Sequence, residues 1–254
     1  MLKQVLTYCI LAYAITWSIA FRLSFLFTHH ILTQEKLNLL HSLAALGPAI
    51  GAVITVYLFY GRSGLKQLLA RLKGRMPGGK VLLYIISPML FFGIGLLVHR
   101  AVTGGWYDFR LFARAELSSP AAIAGWLAPL FSYAIFEEIG WRGFLLPHLQ
   151  EKFSALIATT ILTLIWALWH LPFFFYRFDF SPGISIGFFF GIFVGSIILT
   201  CIYNSTQGFL IPAMAFHFLN NLGSAFDKDI IVSVLSIGFI FLARSACRSD
   251  SLVV

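Results

Sequence analysis

The chain has 254 residues, of which 59% are hydrophobic and only 11% charged, with a net charge of +8 and a mean hydropathy of +0.87. A water-soluble domain carries about 25% charged residues, so this composition cannot cover a water-facing surface of such size and assigns most of the chain to lipid. It also argues against nucleic acid as the reason for the basic balance, because the positive residues gather in loops between apolar runs.

A helix crosses a bilayer with about 20 apolar residues. In chain order the runs at about 5–21, 39–60, 81–99, 120–146, 154–175, 184–203, 208–226 and 229–244 qualify, eight in all, or seven if one is re-entrant. They are too long for strands and do not alternate. The expected fold is therefore all-α: a multi-pass transmembrane helix bundle of about eight spans, with residues 1–254 forming a single membrane domain. The first run follows Lys3, shows no small-residue cleavage site and runs straight into Arg22, so it reads as a retained helix rather than a signal peptide.

Between the second and third runs Arg62, Lys66, Arg71, Lys73, Arg75 and Lys80 occur without an acid. Positive loops stay cytoplasmic, which puts this segment and, in an eight-span scheme, both termini on that side. Lys3, Arg244 and Arg248 agree, whereas Arg100, Arg110 and Arg114 fall on the opposite side. Leu65, Leu68, Leu69 and Leu72 recur there at helical spacing, as in an amphipathic helix lying on an anionic leaflet; a plain basic loop explains them equally. The three cysteines, Cys9, Cys201 and Cys247, form no CxxC pair and imply neither a disulfide framework nor a thiolate zinc site.

Of ten acidic residues, Glu35, Asp108, Glu116, Glu151, Asp179, Asp227, Asp229 and Asp250 fall in expected loops or tails. Only Glu137 and Glu138 lie within a span, in the stretch FEEIGWRGFLLPHL. An ionised carboxylate near the bilayer centre costs several kcal/mol, so such residues face a bundle interior or a water-filled cavity. Glu138 and Arg142 stand one α-turn apart, acid first, the favourable order for an ion pair. Glu137 points about 100° away, on a face with Tyr133, Gly140, Trp141 and Phe144, and is the carboxylate without a local partner. Alternatively both acids share Arg142 and only lock the helix.

Two further spans carry polar groups. In LIWALWHLPFFF, His170 follows Trp166, and Pro172 is expected to end or kink the helix there. In IPAMAFHFLNN, His217 and Asn221 share one helical face, with Asn220 turned away. A lone intramembrane histidine is ordinarily a packing residue, but three helices each presenting such groups change that weighting. Hydrolysis needs a base for water, a stabiliser for the oxyanion and an acid for the leaving amine. Glu137 suits the first task; His170 and His217 can handle protons or hold a metal; Asn221 can donate to an oxyanion. No serine or cysteine in these spans has a neighbouring histidine, which favours activated water over a covalent nucleophile. In GISIGFFFGIFVGSIIL, Gly183, Gly187, Gly191 and Gly195 form a stripe expected to admit another helix closely. Phe188, Phe189, Phe190 and Phe193 beside it read as packing or lipid-facing residues.

Glu137-Glu138-Ile139-Gly140-Trp141-Arg142, then Trp166 to His170, then His217 to Asn221, resemble the motifs of the CPBP family of intramembrane proteases, which includes type II CAAX prenyl endopeptidases and abortive-infection-like proteins. YNSTQGFLIPAMAFHFLNN and, more weakly, LGPAIGA around Gly47 and Pro48 add to the likeness. It covers a catalytic core from about 118 to 225, and departs from the family pattern where Trp166 replaces a phenylalanine. The resemblance implies that Glu137 with His170 activates water, that His217 and Asn221 stabilise the oxyanion, and that Glu138 and Arg142 support them. It implies a membrane-associated peptide or protein substrate, prenylated or of bacteriocin type, cleaved in a wet cavity within the bundle, with the lipid bilayer and no nucleic acid as partner. A bacterial member would reside in the cell membrane. Glu137, His170 and His217 would also make a His₂Glu set for Zn²⁺ with an open fourth position, although no HExxH is present. Two other readings remain: a proton-coupled transporter, disfavoured by the lack of internal duplication, and a non-catalytic immunity or scaffold protein.

Overall fold

Backbone in lipid must satisfy its hydrogen bonds within itself, and each apolar run does so as a helix. The computed structural model describes residues 1–75, 77–109, 119–178, 180–225 and 230–248; Arg110, Arg114, Glu116, Asp179, Asp227, Asp229 and Asp250 lie outside them. Among the described residues the order is α1 (Leu2–Thr28), α2 (Gln34–His41), a 3₁₀ turn (Ser42–Ala45), α3 (Leu46–Ala70), α4 (Gly79–Thr103), α5 (Pro120–Gln150), α6 (Ala155–Trp169), a 3₁₀ turn (Leu171–Phe175), α7 (Pro182–Ser205), α8 (Leu210–Ser224) and α9 (Ile230–Cys247). The chain is a multi-pass helical bundle, and its three cysteines are free thiols.

Seven of the described helical stretches are long and apolar enough to span a membrane. The exception is the run expected at 208–226. It forms α8, 15 residues long and thus about 22 Å, because a turn through Gln207 (φ 54°) and Gly208 (φ 85°) delays its start. α8 is held inside the bundle by Leu210, Ala213, Met214, Phe216 and His217, all buried.

α1 and α3 pack at close range because Gly47 and Gly51 face α1: a Cβ on Gly47 would lie 2.6 Å from the Ala12 carbonyl oxygen, and one on Gly51 3.0 Å from the Ala12 nitrogen. Thr16 seals this contact by donating to the Ala44 carbonyl at 2.7 Å. α3 breaks at Gly61, whose φ of 58° and ψ of −154° suit only glycine. Beyond the break Leu68 is buried and Leu65 and Leu72 half-buried, while Arg62, Lys66 and Lys73 are not, so the segment is amphipathic. Leu69, expected on the apolar face, points outward at 62% exposure. The segment is pinned to the start of α8, where the Leu210 amide donates to the Arg71 carbonyl at 2.9 Å.

The glycine stripe of α7 does not behave as expected. A Cβ built on Gly183, Gly187, Gly191 or Gly195 would meet nothing within 4 Å. α7 instead buries the face bearing Ile192, Ser196, Leu199 and Thr200, with the Thr159 hydroxyl of α6 donating to that of Thr200 at 2.9 Å. Small residues permit close approach, but here the buried hydroxyls mark the packed face.

Candidate active site

The winding of α5 departs from a uniform α-helix where its charges lie: Tyr133–Glu137 and Trp141–Leu145 are π-helical, separated by the short α stretch Glu138–Gly140. Wide turns of this kind occur mostly at functional sites. Pro147 follows the second wide turn and lacks an amide hydrogen, which releases a carbonyl one turn before it from α register. Gly140 lets this stretch lie flush against α1 and α3; a Cβ there would sit 2.5 Å from both the Tyr8 hydroxyl and Pro48 Cβ.

Glu138 and Arg142 are fully buried and form the expected ion pair at 3.0 Å. His217 of α8 joins them, its Nδ1 2.8 Å from the same Glu138 oxygen, Oε1. Arg142 also reaches Ser196 of α7 at 3.5 Å and lies 4.7 Å from the centre of the Trp166 ring. Breaking a buried pair by removing one partner costs about 3–5 kcal/mol, because the remaining charge is stranded.

Glu137, 1% exposed, is not without a local partner. Trp141 on its own helix donates an indole N–H to Oε2 at 3.0 Å, and Trp166 of α6 donates to the same oxygen. A count of charged partners alone misses both; an indole N–H within an apolar helix is a donor that also needs an acceptor. Both bonds fall on Oε2 and leave Oε1 outside the clamp.

Pro172 ends α6 as expected, and His170 sits at the junction with the 3₁₀ turn. Its Nδ1 lies 2.8 Å from the Trp166 carbonyl. A carbonyl only accepts, so Nδ1 carries the proton and Nε2 presents a lone pair. The His170 ring is framed by Trp169 at 4.8 Å and Phe188 of α7 at 5.1 Å, so Phe188 borders the site rather than facing lipid alone. His217 also lies 5.8 Å from the Trp166 ring, as does His170. The structure thus gathers Glu137, Arg142, His170 and His217 around one indole, with Glu138 joining through Arg142 and His217. Asn221 stands half-buried one turn beyond His217 on α8. Trp166, known from the sequence only as the aromatic of a motif, is the residue through which these groups meet.

The suggested zinc set does not fit this arrangement. Among the described residues no three histidine, cysteine or acidic side chains stand where they could share a metal ion. His170 and His217 are buried, at 7% and 6% exposure. A cavity of about 290 Å³ borders α5; it is apolar and reaches Phe136 and Ile139, the neighbours of the two glutamates.

Residues 118–223 match the family model of type II CAAX prenyl endopeptidases of the Rce1-like kind. The curated CAAX prenyl protease 2 of Methanococcus maripaludis is 34% identical over 123 residues, which cover 44% of this chain and 45% of that protein. The alignment therefore spans less than half the length of the relative. Glu137, Glu138, Arg142, His170, His217 and Asn221 all fall inside the segment that is similar to the Rce1-like type II CAAX prenyl endopeptidases.

Proposed function

We propose that this protein is an intramembrane endopeptidase that hydrolyses a peptide bond of a membrane-associated, prenylated substrate with activated water. The observation that carries this reading is the burial of two carboxylates, a guanidinium and two imidazoles from three helices around Trp166, in a segment matching a protease family. A bundle that merely packs has no use for so much desolvated charge.

The roles follow from which atoms are free. Glu137 Oε1 and the His170 Nε2 lone pair are the two acceptors open to a water molecule, so together they remove its proton as it attacks the scissile carbonyl. His217, held by Glu138 through Nδ1, offers Nε2 to the developing oxyanion, beside the Asn221 amide. The proton taken by Glu137 then passes to the leaving amine. Glu138 holds His217 in place through Nδ1, and Arg142 holds Glu138. Every step uses side chains of the chain itself. We assign the basic segment from Arg62 to Lys80 to the cytoplasmic side of the cell membrane and, counting α8 as the eighth crossing, both termini with it.

The test is cleavage by purified protein, reconstituted in lipid, of a fluorogenic peptide ending in a prenylated CAAX sequence, with an unprenylated twin and a bacteriocin-type precursor as comparisons. Wild type is expected to cleave the prenylated peptide and Glu137→Ala to leave it intact. Cleavage of none of the three by folded wild-type protein would overturn the reading, and preference for the precursor would overturn the substrate class.

A further inference from the structure

We propose that His41 is a positioning residue for this site: it braces the segment carrying Glu137 against the turn that follows His170 and so fixes the separation of the two groups. The proposal builds on the roles just given to Glu137 and His170. His41 ends α2, far outside the matched segment 118–223, and is 3% exposed.

Its contacts divide between the two segments. The His41 ring stacks on Tyr133, one turn before Glu137, at 4.9 Å and an interplanar angle of 26°. It meets Phe173 edge-on at 4.8 Å, and its Nδ1 lies 2.8 Å from the Tyr176 hydroxyl. Phe173 and Tyr176 follow His170 in the chain, and the Phe173 ring in turn lies 5.7 Å from the His170 ring. The Tyr133 hydroxyl approaches the same His41 Nδ1 at 3.3 Å. An imidazole nitrogen has one lone pair, so Nδ1 serves the nearer hydroxyl, that of Tyr176, while the Tyr133 hydroxyl donates to the His41 carbonyl at 3.4 Å.

A phenylalanine in place of His41 would fill the same space without burying a polar ring. What the imidazole adds is direction: a ring nitrogen bonded to Tyr176 of one segment, in a ring stacked on Tyr133 of the other. Such a brace matters here because Tyr133–Glu137 is a π turn, a departure from α register that persists only where tertiary contacts hold it.

The experiment compares His41→Phe, Tyr176→Phe and their double variant with wild type, in kcat and KM on the prenylated peptide, in thermal midpoint, and in the ¹⁵N–¹H indole signals of Trp141 and Trp166, which report the seat of Glu137. Each single change is expected to lower kcat about three- to tenfold, the scale of one hydrogen bond. KM should stay within about twofold, the double variant should lose no more than either single one, and His41→Gln, which restores an acceptor, should recover part of the loss. The indole signals should move in all three Phe variants. Unmoved indole signals with unchanged kcat in His41→Phe would overturn the proposal. If that variant does not fold, Tyr176→Phe, at a half-buried position, decides the question by the same two readouts. If wild type cleaves nothing, the protease reading fails while the indole signals still decide whether His41 braces the helix.

Discussion

Glu137 and Glu138 are neighbours in sequence, on one helix, both buried, yet they occupy two different kinds of region. Around Glu138 the partners are a guanidinium and an imidazole: Arg142 at 3.0 Å and His217 at 2.8 Å share one of its oxygens. Around Glu137 the partners are neutral, two indole N–H groups on a single oxygen. The first region is built so that removing any member strands another. The second holds a carboxylate in place while leaving its other oxygen uncommitted. Burial alone does not tell a structural acid from a reactive one; the identity of the partners does.

The largest effect should come from the uncommitted carboxylate. Glu137→Ala is expected to reduce peptide cleavage by about 10²–10⁴-fold, the range for a general base, with some loss of thermal midpoint because two buried indole N–H groups lose their acceptor. Next comes the ionic side. Arg142→Ala should lower stability by about 3–5 kcal/mol, because a buried ion pair is then broken and Glu138 keeps His217 as its remaining partner; a denaturation curve in detergent reads this directly, and activity should fall with it. A smaller effect is expected for Trp166→Phe, which keeps an aromatic ring but removes one donor to Glu137. A hydrogen bond to a charged group contributes about 1.5–3 kcal/mol, so kcat should drop by roughly 10- to 100-fold at nearly unchanged stability. Loss of stability without loss of kcat would show that the indole packs rather than clamps. Smallest of all, Gly187→Ala on the outward face of α7 should change stability by no more than about 0.5 kcal/mol, since a Cβ there meets nothing. A large loss would return the glycine stripe to the role the sequence suggests.

Much of the molecule is legible in its sequence. Long apolar runs announce helices, Pro172 announces the end of α6, and the spacing of Glu138 and Arg142 announces their pair, because each depends on local geometry alone. Three features are not legible, for different physical reasons. The partners of Glu137 go unread because they are neutral donors rather than charges: Trp141 falls on its face of the helical wheel but carries no charge, and Trp166 lies on another helix. The packed face of α7 is hidden because glycine spacing says that approach is possible, not that a neighbour is there. His41 gives no signal because its partners, Tyr133, Phe173 and Tyr176, lie about a hundred residues away in the chain and share no motif with it.

The division of labour between the two glutamates stands or falls on cleavage and thermal midpoint, read from the same preparations of Glu137→Gln and Glu138→Gln. Glu137→Gln should keep the midpoint and lose cleavage, since the amide oxygen can still accept the indoles but cannot take a proton from water. Glu138→Gln should lose both, as Arg142 and His217 are stranded. A stable, inactive Glu138→Gln beside an unstable or active Glu137→Gln would contradict this division.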